Sequence, residues 1–261
     1  MDTSEQDSAT PFTAERQASI LALLKEQGRV EVLEVARLMQ VSEHTVRRDL
    51  LALQKQGVLQ RTHGGAIALD TVRADLPTRA GVAPQAKAAI GRAAVALIKP
   101  GQTLILDAGS TNLAFAQALV QASGVRPLTV ITNSLDIAQV FTGDPQVQLM
   151  LTGGSWQPDS RALWGPAAEA MLQHCRADWA VPGACALHAE QGVTASDEAD
   201  AALKRLMVSR SLKTLVLGDK SKQGGVGPFL VAEWGSVDTL VTDQAWPELA
   251  VRGVKLVLAE P

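Results

Sequence analysis

A chain of 261 residues, 46% hydrophobic and 20% charged, can bury a sizeable core and has room for one large domain and one small one. Its formal charge of −3 does not by itself suggest a nucleic-acid binder, and its only cysteines, Cys175 and Cys185, form no CxxC pair, so neither a disulfide framework nor a zinc site is indicated. No apolar stretch reaches the roughly 18 residues that a membrane-spanning helix needs, residues 1–12 read as a polar disordered tail with no signal peptide, and the chain reads as cytoplasmic.

The first predicted helix covers 13–27, where Ile20, Leu21, Leu23 and Leu24 repeat at helical spacing and Gly28 closes the run. A second, short helix is predicted over about 31–39, with Leu33, Ala36 and Leu38 or Met39 inward. Only Gln40 and Val41 separate it from a third. That helix starts at Ser42, whose hydroxyl can cap the first turn, and stops at Gly57. At about 100° per residue, Val46, Leu50 and Leu53 share one stripe, with His44, Arg48 and Lys55 roughly opposite and Thr45 and Arg47 on the flanks. Residues 58–67 then read as two strand-like pieces around a Gly64-Gly65 turn, a wing behind a helix-turn-helix.

Charge placement supports this reading. Between Pro11 and His63 stand 8 Lys and Arg against 6 Asp and Glu, leaving 16 against 21 elsewhere. Arg47 and Arg48 can each fork to a phosphate or to guanine O6 and N7, and Thr45 can reach a phosphate or a thymine methyl. Lys55 and Arg61 suit phosphate contacts that position the protein, while Thr45, Arg47 and His44 or Arg48 meet base edges. Arg61 and His63, beside Gly64 and Gly65, suit a close approach to the DNA backbone.

Arg16, Ile20-Leu21, Leu24, Val41-Ser42, the run from Thr45 to Leu50, Leu53, Gly57, Leu59, Arg61 and His63-Gly64-Gly65-Ala66 together resemble the N-terminal reader of the DeoR family of bacterial transcription regulators. The resemblance implies a structural arginine partner for Asp49; the plain alternative is a solvated carboxylate. Its i±3 and i±4 neighbours include no arginine, so a partner has to come through space.

Residues 68–84 lack a period, contain two prolines and read as a linker. Beyond it a helix is predicted over about 85–98. Strand-length apolar runs follow at 103–107, 128–132, 147–151, 178–182, 214–217, 238–242 and 255–258, most of them separated by alanine-rich helical segments. Such alternation implies an α/β domain, residues 85–261, with a mostly parallel sheet covered on both faces.

The segments after four of these runs carry the chemistry: Asp107-Ala108-Gly109-Ser110-Thr111-Asn112, Thr132-Asn133-Ser134, Thr152-Gly153-Gly154 and Gly218-Asp219-Lys220-Ser221-Lys222. Ligands of open parallel sheets bind outside the carboxyl ends of the strands. Glycines and helix N-termini suit an anion, and hydroxyls and amides suit polyol oxygens. With Lys204, on a helix over about 197–209, and Lys222 as cations, the set describes a pocket for a small phosphorylated polyhydroxy compound. Neither a dinucleotide fingerprint nor a P-loop occurs, so no nucleotide cofactor is expected. Trp156 and Trp164 read as packing, with a lid over the ligand as the alternative.

This half is similar to the same family's sensor domain at Lys87, Ile90, Leu106 to Thr111, Val130 to Ser134, Leu151 to Gly154, Gly165, Lys204-Arg205 and Asp219 to Lys222. The resemblance covers roughly 13–258. It implies a fold akin to ribose-phosphate isomerases, a sugar-phosphate effector bound without turnover, release from operator DNA on binding, and homo-oligomers. Gly183-Ala184-Cys185-Ala186 departs from the family, which usually has an aspartate there, and Gln223 stands where an aromatic is common. The other readings are an isomerase-like enzyme using Asp107, Asp197, Glu198 or Asp219 as a base, and a DNA-binding protein whose second half only oligomerises.

Overall fold

Apolar residues at helical spacing build the first of two units, residues 1–71; the second spans 72–261. The computed structural model describes residues 13–55, 59–62, 64–68, 76–250 and 252–260. The tail at 1–12, the predicted helix stop at Gly57 and His63 lie outside these, as does most of the front of the predicted linker.

In the first unit α1 (Thr13–Gln27), α2 (Val32–Leu38) and α3 (Glu43–Lys55) surround a core of Ile20, Leu24, Val35, Val46, Leu50 and Leu53. Burying each such side chain contributes about 1.5–3 kcal/mol. The Ser42 hydroxyl caps α3, accepting from the Thr45 N–H at 3.1 Å. Behind α3, β2 (Leu59–Arg61) and β3 (Gly65–Ala68) form the expected wing, joined by β1 (Arg29–Glu31), which the sequence reading missed. The order is β1-β3-β2, all antiparallel. Gly65 lies so close to β1 that a Cβ would meet the Val30 carbonyl oxygen at 1.9 Å. Packing therefore demands that glycine, and the wing cannot close on any larger residue.

The second unit is built on seven parallel strands in the order β15-β14-β12-β9-β4-β5-β6. They are β4 (Thr103–Leu106), β5 (Leu128–Thr132), β6 (Val147–Leu151), β9 (Ala177–Val181), β12 (Ser211–Leu217), β14 (Thr239–Thr242) and β15 (Lys255–Leu258), matching the seven apolar runs. Alternate residues face opposite layers. Leu104 and Leu106 pack with Ile90 and Phe115 on one side, Ile105 with Leu203 and Met207 on the other. The inner strands are buried on both faces, which is why they read as apolar runs, whereas the edge strands β6 and β15 hold no buried residue.

Smaller elements decorate the carboxyl ends of the strands. A hairpin, β7 (Ser155–Gln157) and β8 (Ala162–Trp164), follows β6, and a three-stranded sheet joins β10 (Ala186–His188), β11 (Gly192–Ala195) and β13 (Phe229–Ala232). The stretch read as linker to residue 84 belongs partly to this unit: Leu76–Gly81 is a helix, Leu76 is buried and its N–H donates to the Asp159 carbonyl at 2.7 Å. Pro77 in the first turn lacks only an N–H that would have had no helical partner. Among the described residues, no helix is long and apolar enough to cross a membrane.

Candidate functional site

The exposed side of α3 carries the predicted polar set. His44, Arg47, Arg48 and Lys55 are exposed and Thr45 is half-buried, while Val46, Asp49, Leu50 and Leu53 are buried. Arg47 Nη2 donates to Glu43 Oε2 at 2.8 Å, one turn back. An exposed pair of that kind contributes less than about 1 kcal/mol and leaves the guanidinium available. Asp49 points inward to Arg16 on α1, with Nε–Oδ2 at 2.5 Å and Nη2–Oδ1 at 3.1 Å. The through-space arginine partner is thus Arg16, and it locks α1 against the helix that presents Arg47 and Arg48. Arg61 and Gly64 are exposed on the wing and Gly65 is buried.

In the second unit the sheet changes direction between β4 and β9, the switch point at which ligands of open α/β sheets bind. Asp107, the residue after β4, is buried there and held from three sides. Its Oδ1 accepts from Asn133 Nδ2 at 2.9 Å, its Oδ2 accepts from the Gly183 N–H at 2.7 Å, and Lys204 Nζ lies 3.6 Å from Oδ2. Lys204 also donates to Asp200, one turn back on the helix Glu198–Ser209. Burial works against the Lys204 charge, but the Asp200 and Asp107 carboxylates outweigh it and raise its pKa. Burial pushes the Asp200 carboxyl up, with Lys204 opposing and Asp107 reinforcing the shift.

Two cavities meet at this cluster. The larger, about 370 Å³, is lined by Asp107, Asp200 and Lys204, by the hairpin residues Ser160 and Trp164, and by Arg79. The smaller, about 30 Å³, is lined by Gly109, Ser110, Thr111, Gly183, Lys222 and again Arg79 and Lys204. The helix Ser110–Gln121 begins in it with no side chain capping its first turn. Uncapped N–H groups at a helix N-terminus attract anions. Lys222 is buried, and burial lowers its pKa although Asp219 opposes the shift. A buried ammonium facing free helical N–H groups suits an anion of phosphate size.

A third buried lysine holds the rim. Lys87 Nζ donates to the Arg79 and Val82 carbonyls at 2.5 and 2.6 Å and lies 3.9 Å from Asp219 Oδ2. Burial lowers its pKa to about 8, against the pull of Asp219. It thereby ties the turn carrying Arg79 to the turn carrying Lys222.

Comparison with known proteins agrees with both units. A model of the DeoR-like helix-turn-helix domain matches residues 16–76, and one of the DeoR C terminal sensor domain matches residues 82–244. The chain belongs to the DeoR family. Among DeoR-family relatives, it is 34% identical to the HTH-type transcriptional repressor GlcR of Bacillus subtilis (strain 168), over 95% of this chain and 97% of that one. It is 30% identical to a putative aga operon transcriptional repressor of Escherichia coli O157:H7, over 93% and 91%. Among solved structures it is similar to ribose 5 phosphate isomerase A from Neisseria gonorrhoeae, at 14% identity and a TM-score of 0.39 over 52% of each chain. As a DeoR-family regulator, the protein pairs a DNA-binding unit with a small-molecule sensor.

The sensor's predicted residues divide into two groups. Asp107, Gly109, Ser110, Thr111, Lys204 and Lys222 line the two cavities. Thr132, Asn133, Ser134, Gly153, Gly154 and Asp219 are not among the lining residues and act behind it. Asn133 holds Asp107, its carbonyl accepts from the Leu163 N–H of the hairpin at 2.8 Å, and Ser134 caps the helix Leu135–Phe141. Gly153 and Gly154 turn the chain into the hairpin with φ of 71° and 114°. Asp219 caps the turn at Lys220–Lys222. Sequence reasoning missed Asp200, which its i,i+4 spacing from Lys204 could have indicated, and Arg79, which had no periodic signal around it. Of the two tryptophans, Trp164 lines the larger cavity, whereas Trp156 is exposed with the Arg161 guanidinium over its ring at 5.8 Å.

Proposed function

We propose that this DeoR-family protein represses a carbohydrate-metabolism operon and is released from its operator by a phosphorylated sugar or polyol. The observation that carries the reading is the pair of joined cavities: the smaller presents Lys222 and an uncapped helix N-terminus to a phosphate, and the larger offers carboxylates to hydroxyl groups. Thr45, Arg47 and His44 or Arg48 meet base edges, and Ser42, Lys55, Arg61 and Gly64 lie along the phosphate backbone. The protein acts as a homo-oligomer in the cytoplasm, presenting paired readers to paired half-sites. Effector binding favours an arrangement in which those readers no longer match the half-site spacing.

Asp107, one of the carboxylates that could serve as a base, is engaged by Asn133, Gly183 and Lys204, and turnover is what separates an enzyme from a sensor. The test is to select bound fragments from genomic DNA and titrate one by fluorescence anisotropy against sugar and polyol phosphates. Release by at least one compound, recovered unchanged afterwards, is expected. DNA binding indifferent to every compound, or steady conversion of one, would overturn the proposal.

A further inference from the structure

The cations at the two cavities differ in what already engages them. Lys204 is bonded to Asp200 and lies 3.6 Å from Asp107, and Lys87 Nζ is taken up by the Arg79 and Val82 carbonyls. Lys222 and Arg79 have no such commitment. Lys222 is nine-tenths buried and lines the smaller cavity, yet neither its ammonium nor the Arg79 guanidinium makes a hydrogen bond or an ion pair. Arg79 Nε is enclosed by protein, but the terminal nitrogens, which carry most of the guanidinium N–H groups, are not. Arg79 lines both cavities, at the seam they share.

This arrangement repels itself until an anion enters it. Burial is the main reason that Lys87 and Lys222 hold their protons less tightly, with Asp219 opposing, and Arg79 adds to the effect at both. Arg79 is attracted to Asp200, but that carboxyl is already bonded to Lys204. Buried or partly buried charge without a partner is costly, and an anion in the smaller cavity is flanked by Arg79 and Lys222 together.

The place of Arg79 in the chain gives that contact a further consequence. Its helix, Leu76–Gly81, begins just inside the boundary at residues 71 and 72, so it is the first described element of the sensor to follow the DNA-binding unit in sequence. Leu76 is its one buried residue. The Leu76 N–H donates to the Asp159 carbonyl at 2.7 Å, and Lys87 holds the Arg79 carbonyl at 2.5 Å. A helix with so little buried apolar surface opens at low cost.

We propose that Arg79 is an effector-binding residue which grips the phosphate together with Lys222, and that this contact seats the helix Leu76–Gly81, so that occupancy of the sensor is registered where the chain arrives from the DNA-binding unit. The inference rests on the proposed effector reading and deepens it by naming the residue that reports the ligand. A ligand shifts an equilibrium only through an interaction that differs between its two states. Arg79 supplies one, since it meets the phosphate only when its helix is seated.

The experiment compares the full-length wild type with Arg79→Ala and Arg79→Gln. Inorganic phosphate and the sugar and polyol phosphates are titrated by calorimetry. Hydrogen exchange of residues 76–81 is followed with and without saturating ligand, and DNA release is read by anisotropy. In the wild type, bound phosphate compounds should slow exchange in this helix. Both variants should melt no lower than the wild type without ligand, because the side chain they lose makes no hydrogen bond or ion pair. Their affinity for phosphate compounds should fall about tenfold or more, the loss expected when a charge-assisted hydrogen bond is removed. Even when saturated, they should show no slowed exchange and should stay on the DNA. Arg79→Gln keeps much of the stem and carries the test if alanine unsettles the helix.

Wild-type phosphate affinity in the variants, complete release of the saturated variants from DNA, or exchange in the wild-type helix that ignores bound ligand would each overturn the inference. A melting temperature lowered in both variants without ligand would mark Arg79 as structural and overturn it too. If sugar phosphates bind and release the wild type but the variants respond alike, only the role of Arg79 falls. If no phosphate compound binds the wild type, the effector reading falls and takes this inference with it.

Discussion

The Arg16 guanidinium grips the Asp49 carboxylate with both Nε and Nη2 inside the core of the DNA-binding unit, where Arg16 is 4% and Asp49 1% exposed. A buried ion pair gains little over an apolar pair of similar volume, but removing one partner strands the other charge. Asp49→Ala should therefore destabilise this unit by about 3–5 kcal/mol and abolish DNA binding without touching the DNA-facing surface. The double variant Arg16→Met, Asp49→Leu should recover most of that loss. Urea denaturation of the three proteins decides it: equal stability of the single variant and the wild type would refute the structural role.

On the exposed side of α3, Arg47→Ala and Arg48→Ala should each weaken specific DNA binding by roughly 1–3 kcal/mol if they meet base edges. Glu43→Gln should have a small effect, because the Glu43–Arg47 pair is exposed and worth less than about 1 kcal/mol. Anisotropy at several salt concentrations separates the roles. Loss of an arginine that contacts a phosphate lowers the salt slope by about one and weakens binding to all sequences alike. Unchanged affinity in both variants would remove α3 from the interface.

Gly183 sits where β4 and β9 part, and a Cβ there would lie 2.6 Å from the Ala108 carbonyl oxygen and 2.8 Å from Asp107 Oδ2. Gly183→Ala should displace Asp107 and cost about 1–3 kcal/mol through overpacking. The resulting protein should still bind DNA, because the change lies in the sensor, but should no longer be released by effector. A response like that of the wild type would show that Asp107 does not need its present position.

Lys87 gives the sensor a pH dependence of a definite sign. Burial lowers its pKa in the folded state from 10.5 to about 8, with Asp219 opposing and Lys222 and Arg79 adding to the shift. Between those values the unfolded chain binds the proton and the folded one does not, so stability rises with pH across the window. Below pH 8 both forms are protonated and the cost of the buried charge is present in full. The slope for one proton is at most about 1.4 kcal/mol per pH unit. Urea midpoints measured across this range should climb for the wild type relative to Lys87→Met; parallel curves would contradict the assignment.

Much of the fold was legible because burial on both faces turns the inner strands of the large sheet into apolar runs, and the edge strands, though only partly buried, showed as apolar runs too. The hairpin and the small sheet were not, since stretches such as Ser155-Trp156-Gln157 are too short to show a period. The helix Leu76–Gly81 was hidden by Pro77, which reads as a breaker unless its place in the first turn is known. Glycines and hydroxyls after strands pointed to segments that gather at the switch point and its cavities, but composition cannot separate a residue that lines a cavity from one that holds its neighbour. Asp107 and Asn133 looked equivalent in sequence; in the structure one faces the cavity and the other fixes it there. Arg79 arrives from a segment distant in sequence, and no local pattern announces such an arrival.

The close seam at Gly183 also bears on how this sensor can be retuned over generations. Where Asp107, Ala108 and Gly183 touch, there is no room for even one methyl group, so inherited variation at the centre of the switch point meets a steric wall. The hairpin turn around Ser160 and the helix carrying Arg79 are only partly buried and tolerate side chains of other shapes. Substitutions in those two segments meet no comparable wall, so the periphery of the cavity has a freedom of shape that its centre lacks.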